Sequence, residues 1–176
     1  MSWQKDIGTR FEHQVKDRFN EAAKGTNLTA VRIWYSGAGE REPFDVGIYS
    51  GEVRKENLVM QIEAKRTQGR SIGLLRKWLE KISLGPVRHV IMFSVGLHNP
   101  VPIYVAHLEP SSLPADAKVV MIKDKAKSVS VHEKYVLKAG LPSFLIAGSV
   151  GFTSVVVEAF ESYIKREFDL PQEVKS

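Results

Sequence analysis

The sequence predicts an α/β protein with a mixed β-sheet flanked by helices. Three observations predict it. The opening stretch repeats apolar residues at helical spacing. The middle of the chain carries strand patterns, one strictly alternating and one apolar throughout. Helical patterns stand both before and after the hairpin that those strands form, which is the arrangement of a layered α/β core.

Taken in order, residues 4–24 place Phe11, Val15, Phe19 and Ala22 at spacings of four and three, giving one apolar stripe on a helix. Glu12 flanks that stripe, and Gly25 is a suitable stop. Leu28–Tyr35, LTAVRIWY, is rich in β-branched and aromatic residues and reads as a strand. SGAGEREP follows from Ser36, with two glycines, a proline and mixed charge, and reads as a loop. PFDVGIYS then forms a strand, and a short hairpin around Ser50-Gly51-Glu52 leads into NLVMQIEAK, Asn57 to Lys65. This last stretch has a period of two. Leu58, Met60, Ile62 and Ala64 share one face, and Val59, Gln61, Glu63 and Lys65 share the other.

RTQGRS reads as a basic loop, and Ser71 as the N-cap of a helix from Ile72 to Leu84, with Ile72, Leu75, Leu79 and Ile82 as its buried stripe and Trp78 beside them. Gly85-Pro86 ends that helix. His89–Val95 is a continuous apolar run, suited to a strand covered on both faces. Val101–His107 is another strand, which Pro102 puts at an edge or makes begin late. In the last third, Lys118–Ile122 and Ser128–His132 are expected to pair around a KDKAK turn, Glu133–Lys138 to form one or two helical turns, and Phe152–Phe168 to form a helix. Residues 1–107 thus read as a core and residues 108–176 as an extension packed on it, one domain overall. The longest apolar region, Ser143 to Phe160, is broken by glycine, serine, threonine and Glu158. It suits buried packing better than a membrane span, so no membrane partner is expected.

The 176 residues hold no cysteine, which excludes disulfide scaffolds, thiolate zinc sites and cysteine nucleophiles and is compatible with the reducing cytoplasm, the expected location. The net charge of +5 is uneven: residues 1–90 hold 16 of the 25 lysines and arginines against 11 of the 20 acids. A basic half suits a polyanion, nucleic acid first, although a solvated basic surface has the same composition. The five histidines are scattered without an HxH or HExxH pair, and there is no Walker A or G-x-S-x-G motif.

The chemistry concentrates at the end of the alternating strand. Glu63 and Lys65 lie on one face there, and Asp45 belongs to the neighbouring strand. Two carboxylates beside a lysine suit a divalent metal with a basic partner. The blander account is a same-face ion pair between Glu63 and Lys65, with Asp45 pairing Arg41 and Glu12 pairing Lys16. ExK by itself carries almost no information: Glu173-Val174-Lys175 is a second example, in a polar tail without a strand or a preceding acid. The context of the first is what separates the two.

Glu12 in an opening helix, Asp45 after Pro43-Phe44, and Glu63-Ala64-Lys65 at a strand end resemble the PD-(D/E)xK nuclease superfamily, in order and spacing. Within it the chain looks most like archaeal-type Holliday-junction resolvases. Gly8 four residues before Glu12 and Val31-Arg32 leading into Ser36-Gly37 extend the likeness, which covers about residues 4–107. The resemblance implies a restriction-endonuclease-like core and a magnesium-dependent DNA endonuclease, with manganese as a possible substitute. It implies metal ligation by Glu12, Asp45, Glu63 and the carbonyl of Ala64, a water-orienting or charge-stabilising role for Lys65, and contact of Ser36 with the scissile phosphate. Branched or duplex DNA would be the partner and a homodimer the working form, since two strands are cut symmetrically. Arg32, Arg41, Arg66, Arg70, Arg76 and Lys77 are the candidate contacts to DNA phosphates, each of them also explicable as a solvated face. A restriction- or repair-type endonuclease of the same fold, or a catalytically silent nucleic-acid-binding domain, would share most of these features.

Overall fold

The computed structural model describes residues 3–33, 44–108, 118–122, 125–136, 144–148 and 155–170. Its centre is a mixed sheet. In chain order the strands are β1 (Leu28–Arg32), β2 (Val46–Ser50), β3 (Leu58–Thr67), β4 (Ser71–Leu75), β5 (Arg88–Val95), β6 (Tyr104–His107), β7 (Lys118–Ile122), β8 (Ser128–His132), β9 (Phe144–Gly148) and β10 (Val155–Ala159). Eight of them form one sheet in the order β1-β2-β3-β5-β6-β10-β9-β7, while β4 and β8 form a separate antiparallel ribbon. The pairs β3–β5 and β7–β9 are parallel and the rest of the large sheet is antiparallel.

Helices α1 (Trp3–Ala22) and α4 (Phe160–Phe168) cover one face of the sheet. Phe11, Val15 and Phe19, fully buried, lie in one cluster with Ala30, Val46, Ile48, Met60, Ile62, Val90 and Met92 from the strands and Phe160, Tyr163 and Ile164 from α4. Full burial of each such side chain stabilises the fold by about 1.5–3 kcal/mol. The stripe of α1 runs on to Ala23, which is buried, whereas Ala22 is exposed. A spacing of four therefore replaces the final spacing of three. Gly25, at φ +83°, takes the left-handed conformation that ends the helix. From α1, the Asn20 side chain accepts from the Ala30 N–H at 2.7 Å and donates to the Ala30 carbonyl at 3.1 Å. Both polar groups of an edge-strand residue are thereby satisfied.

The opposite face is covered by the ribbon together with the short helices α2 (Arg76–Leu79) and α3 (Glu133–Val136). Ile72, Leu74, Leu79, Ile82, Val129, Val131 and Val136 pack there on Ile91, Phe93, Val95, Tyr104 and Ala106. Strand β5 feeds both clusters with alternate residues, which is why its sequence is apolar throughout.

Five expectations are corrected. The helix expected over Ile72–Leu84 is instead β4 followed by the single turn α2. Ser71 and Gly73 are exposed and Ile72 and Leu74 buried, a period of two that meets the matching alternation of β8. The helix expected over Phe152–Phe168 is β10 then α4: the valine run is extended, and the helix begins at Phe160. Lys118–Ile122 and Ser128–His132 are both strands but do not pair, since β7 joins β9 and β8 joins β4. Strand β1 ends at Arg32, and the connection between β2 and β3 is longer than a tight hairpin, running through Gly51 at φ +90° and a 3-10 turn at Lys55–Asn57. As expected, β6 begins late, two residues after Pro102. Among the described residues no helix is long and apolar enough to cross a membrane.

Strand β10 brings a fully buried carboxylate into the sheet. Glu158 Oε1 lies 2.7 Å from His107 Nε2 on β6, and Arg166 of α4 bonds both of its oxygens. The Tyr163 ring stacks on His107 with centroids 4.5 Å apart. Burial by itself would raise the Glu158 pKa, but the hydrogen bonds from His107 and Arg166 outweigh it and hold the carboxyl below its ordinary value. A carboxyl with a lowered folded-state pKa contributes stability above its unfolded pKa and loses it as pH falls through the folded value. Glu158→Gln should therefore cost about 3 kcal/mol at neutral pH. The gap from wild type should narrow as pH drops below 4.5, as measured by urea denaturation midpoints across that range.

Candidate active site

The register of β2 and β3 builds the site. Val46 pairs with Ile62 at the last rung of the ladder, and the Asp45 N–H donates to the Ile62 carbonyl at 2.9 Å. Asp45 thus stands one residue beyond the strand, opposite Glu63. Val46, Ile48, Met60, Ile62 and Ala64 are buried toward α1, so alternation sends Asp45, Glu63 and Lys65 to the other face. There the Lys65 ammonium lies 2.7 Å from Glu63 Oε1 and 3.2 Å from Asp45 Oδ2. The Ala64 N–H donates to the same Asp45 oxygen at 2.8 Å. Since Ile62 and Ala64 are two residues apart, their backbone polar groups leave β3 on the same side, that of β2. The Trp78 ring of α2 lies 4.9 Å from the ammonium.

One cation therefore holds two carboxylates in a partly shielded setting, with 15% of the Glu63 side chain and 26–27% of the Asp45 and Lys65 side chains exposed. For Lys65, burial favours the neutral amine, yet the hydrogen bond and charge of Glu63 and the charge of Asp45 prevail, and its pKa lies above the ordinary value of 10.5. Lys65 is thus an ammonium at neutral pH. It can stabilise negative charge but has no lone pair with which to take a proton.

The structure brings Asp45, Glu63, Ala64 and Lys65 together and leaves Glu12 apart. Glu12 is on α1, and its carboxylate accepts from Arg32 Nε on β1, both side chains being mostly buried. Among the described residues no group of three or more His, Asp or Glu side chains is gathered as for a metal, Glu12 being engaged with Arg32. Arg32, expected to contact DNA, is turned inward by that pair. Arg66 lies on the α1 face and donates to Gln14 at 3.3 Å, with burial holding its pKa below the ordinary value. Arg70 is 85% exposed and near Glu133, Arg76 lies 3.9 Å from Glu80, and Lys77 is exposed. Ser36 and Arg41, with the whole of residues 34–43, lie outside the described residues, as does Glu173-Val174-Lys175.

Two partners escaped the sequence reading. The spacing of Trp78 suits a helix stripe, and nothing local signals its contact with Lys65. The pairing of Glu12 with Arg32 joins residues 20 apart, with no motif between them. No family model, curated protein or solved structure matches the chain.

The oxygen-rich donor set suits a hard divalent cation. The two carboxylates already share one positive charge, and the backbone of Ala64 meets Asp45 on the β2 side of the strand. The electrostatic account is open to a direct check. A lysine whose folded-state pKa is raised contributes stability below its unfolded pKa and loses it as pH rises through the folded value. Lys65→Met should lower stability by about 1–2 kcal/mol at neutral pH, less than for a fully buried pair. In denaturant titrations from pH 7 to 12, the difference between wild type and variant should hold up to pH 10.5 and shrink above it.

Proposed function

We propose that this chain is a divalent-metal-dependent endodeoxyribonuclease of the PD-(D/E)xK kind, most like a Holliday-junction resolvase. The observation that carries the reading is the single ammonium shared by Asp45 and Glu63 on adjoining strands, with the Ala64 backbone fixing Asp45. The order of the residues along the chain, an acid before β2 and Glu-Ala-Lys on β3, supports it further.

In this reading Asp45, Glu63 and the Ala64 carbonyl hold magnesium, or manganese in its place. When bound, the ion supplies Lewis acidity at a phosphodiester oxygen and lowers the pKa of water. Asp45 is oriented by the Ala64 N–H, so its carboxylate is positioned before substrate arrives. Lys65 stays protonated and pairs with the negative charge that gathers on the phosphate in the transition state. Trp78 backs the ammonium and limits its directions of movement. Glu12 acts at one remove by holding Arg32 between α1 and β1. Ser36 keeps, on the family resemblance alone, the role of contacting the scissile phosphate. Symmetric cutting of a junction needs two such sites, so the reading includes a homodimer.

The test is cleavage of a labelled four-way junction and a matched linear duplex, with magnesium and with chelator, by wild type and by Glu63→Ala. Wild type should cut the junction only with the metal, and the substitution should slow cutting by about a hundredfold or more. Equal cutting of both substrates would keep the nuclease and remove the junction preference. Tight binding with no cutting under magnesium or manganese would overturn the enzyme in favour of a binding module.

A further inference from the structure

A groove of about 450 Å³ runs between α2 and the turn that enters β8. Among the described residues its lining carries Arg76 and Lys77 from one side and Lys125 and Lys127 from the other, with the acid Glu80 and the apolar Leu75. The two walls are tied by backbone: the Arg76 N–H donates to the Lys127 carbonyl at 2.8 Å. Arg76 Nε lies 3.9 Å from Glu80. Lys77, Lys125 and Lys127 are exposed. Helix α2 links the groove to the candidate active site: Lys77 lines the groove, and Trp78, next to it in sequence, lies against the Lys65 ammonium.

We propose that this groove seats the sugar–phosphate backbone of a duplex DNA arm that extends from the Asp45–Glu63–Lys65 site. The proposal rests on the nuclease reading and adds to it residues of the C-terminal extension. Three features favour this occupant. Among the described residues four cations line it against one carboxylate, a field that attracts a polyanion. Three of the four cations, Lys77, Lys125 and Lys127, are exposed along two walls of an open groove, which suits phosphates repeated along a polymer better than one small anion, whose site needs convergent, shielded donors. The large exposed apolar side chains among the described residues are Trp3, Val53, Leu84 and Leu97, none of them in the groove, so it lacks the apolar anchors that a lipid surface would engage. A backbone seat beside the site would fix the position of the scissile bond without reading sequence.

Lys125→Glu/Lys127→Glu provides the test, made in the full chain. Its control is Lys24→Glu/Lys165→Glu, which makes the same change in charge at exposed lysines on the α1–α4 side. Binding of a fluorescent duplex is followed by anisotropy in chelator across a salt series, and thermal melts check that both variants fold. The groove variant should bind about tenfold more weakly near 0.1 M salt, with the slope of log K against log salt smaller by about 2, while the control keeps the wild-type slope. Lys125→Gln/Lys127→Gln, which removes the charges without reversing them, should lose the same slope. If the groove variants and the control have wild-type slopes, the groove proposal falls and the nuclease reading stands. If wild type binds neither the duplex nor the four-way junction at any salt concentration and cuts neither with magnesium, both fall.

Discussion

The shared ammonium of Lys65 is the interaction on which the candidate site depends. Two carboxylates on adjoining strands repel each other, and their proximity is tolerable only with a cation between them. The fold meets that condition through register. The β2–β3 ladder stops at Val46–Ile62, so Asp45 is released from the strand while still bonded to it, and the Ala64 N–H takes the Asp45 carboxylate in place of a further rung. A shift of one residue would turn Glu63 and Lys65 into the α1 cluster and bring Ala64 to the site, so the buried set Met60, Ile62 and Ala64 fixes the polar set as firmly as the core.

The two layers over the sheet have unequal roles. The α1–α4 layer supplies the larger apolar cluster and absorbs Glu12, Arg32 and Arg66 into contacts of its own. The ribbon layer lies on the side of the site, and α2 brings Trp78 against Lys65. The chain beyond residue 107 is built into both layers and into the sheet: β10 pairs with β6, α4 packs beside α1, and β8 completes the ribbon with β4. Glu158, the acid that interrupts the longest apolar run, is held by His107 and Arg166 and links β10, β6 and α4.

What was legible in the sequence was whatever rested on short-range period. The stripe of α1, the alternation of β3 and the apolar run of β5 each display their surroundings in a few residues, and the same-face placement of Glu63 and Lys65 follows from the alternation of β3. Failures came where two periods were compatible with the same residues. Ile72, Leu75, Leu79 and Ile82 fit a helix, but Leu74 rather than Leu75 is buried, and only the distant Val129 and Val131 decide between the two. Val155, Ala159 and Tyr163 also fit a helix, and a place in the sheet beside β6 gave the valines to a strand. The contacts of Glu12 with Arg32, of Lys65 with Trp78 and of Arg66 with Gln14 depend on tertiary proximity and carry no local sign.

The central claim is that Asp45 and Glu63, held by Lys65, form a divalent-cation site. Electron paramagnetic resonance of manganese titrated into the protein counts bound ions directly, without substrate. The account predicts one ion per chain for wild type, displaced by excess magnesium, and none for Asp45→Asn/Glu63→Gln. Manganese bound equally by wild type and that variant, or bound by neither, would contradict it.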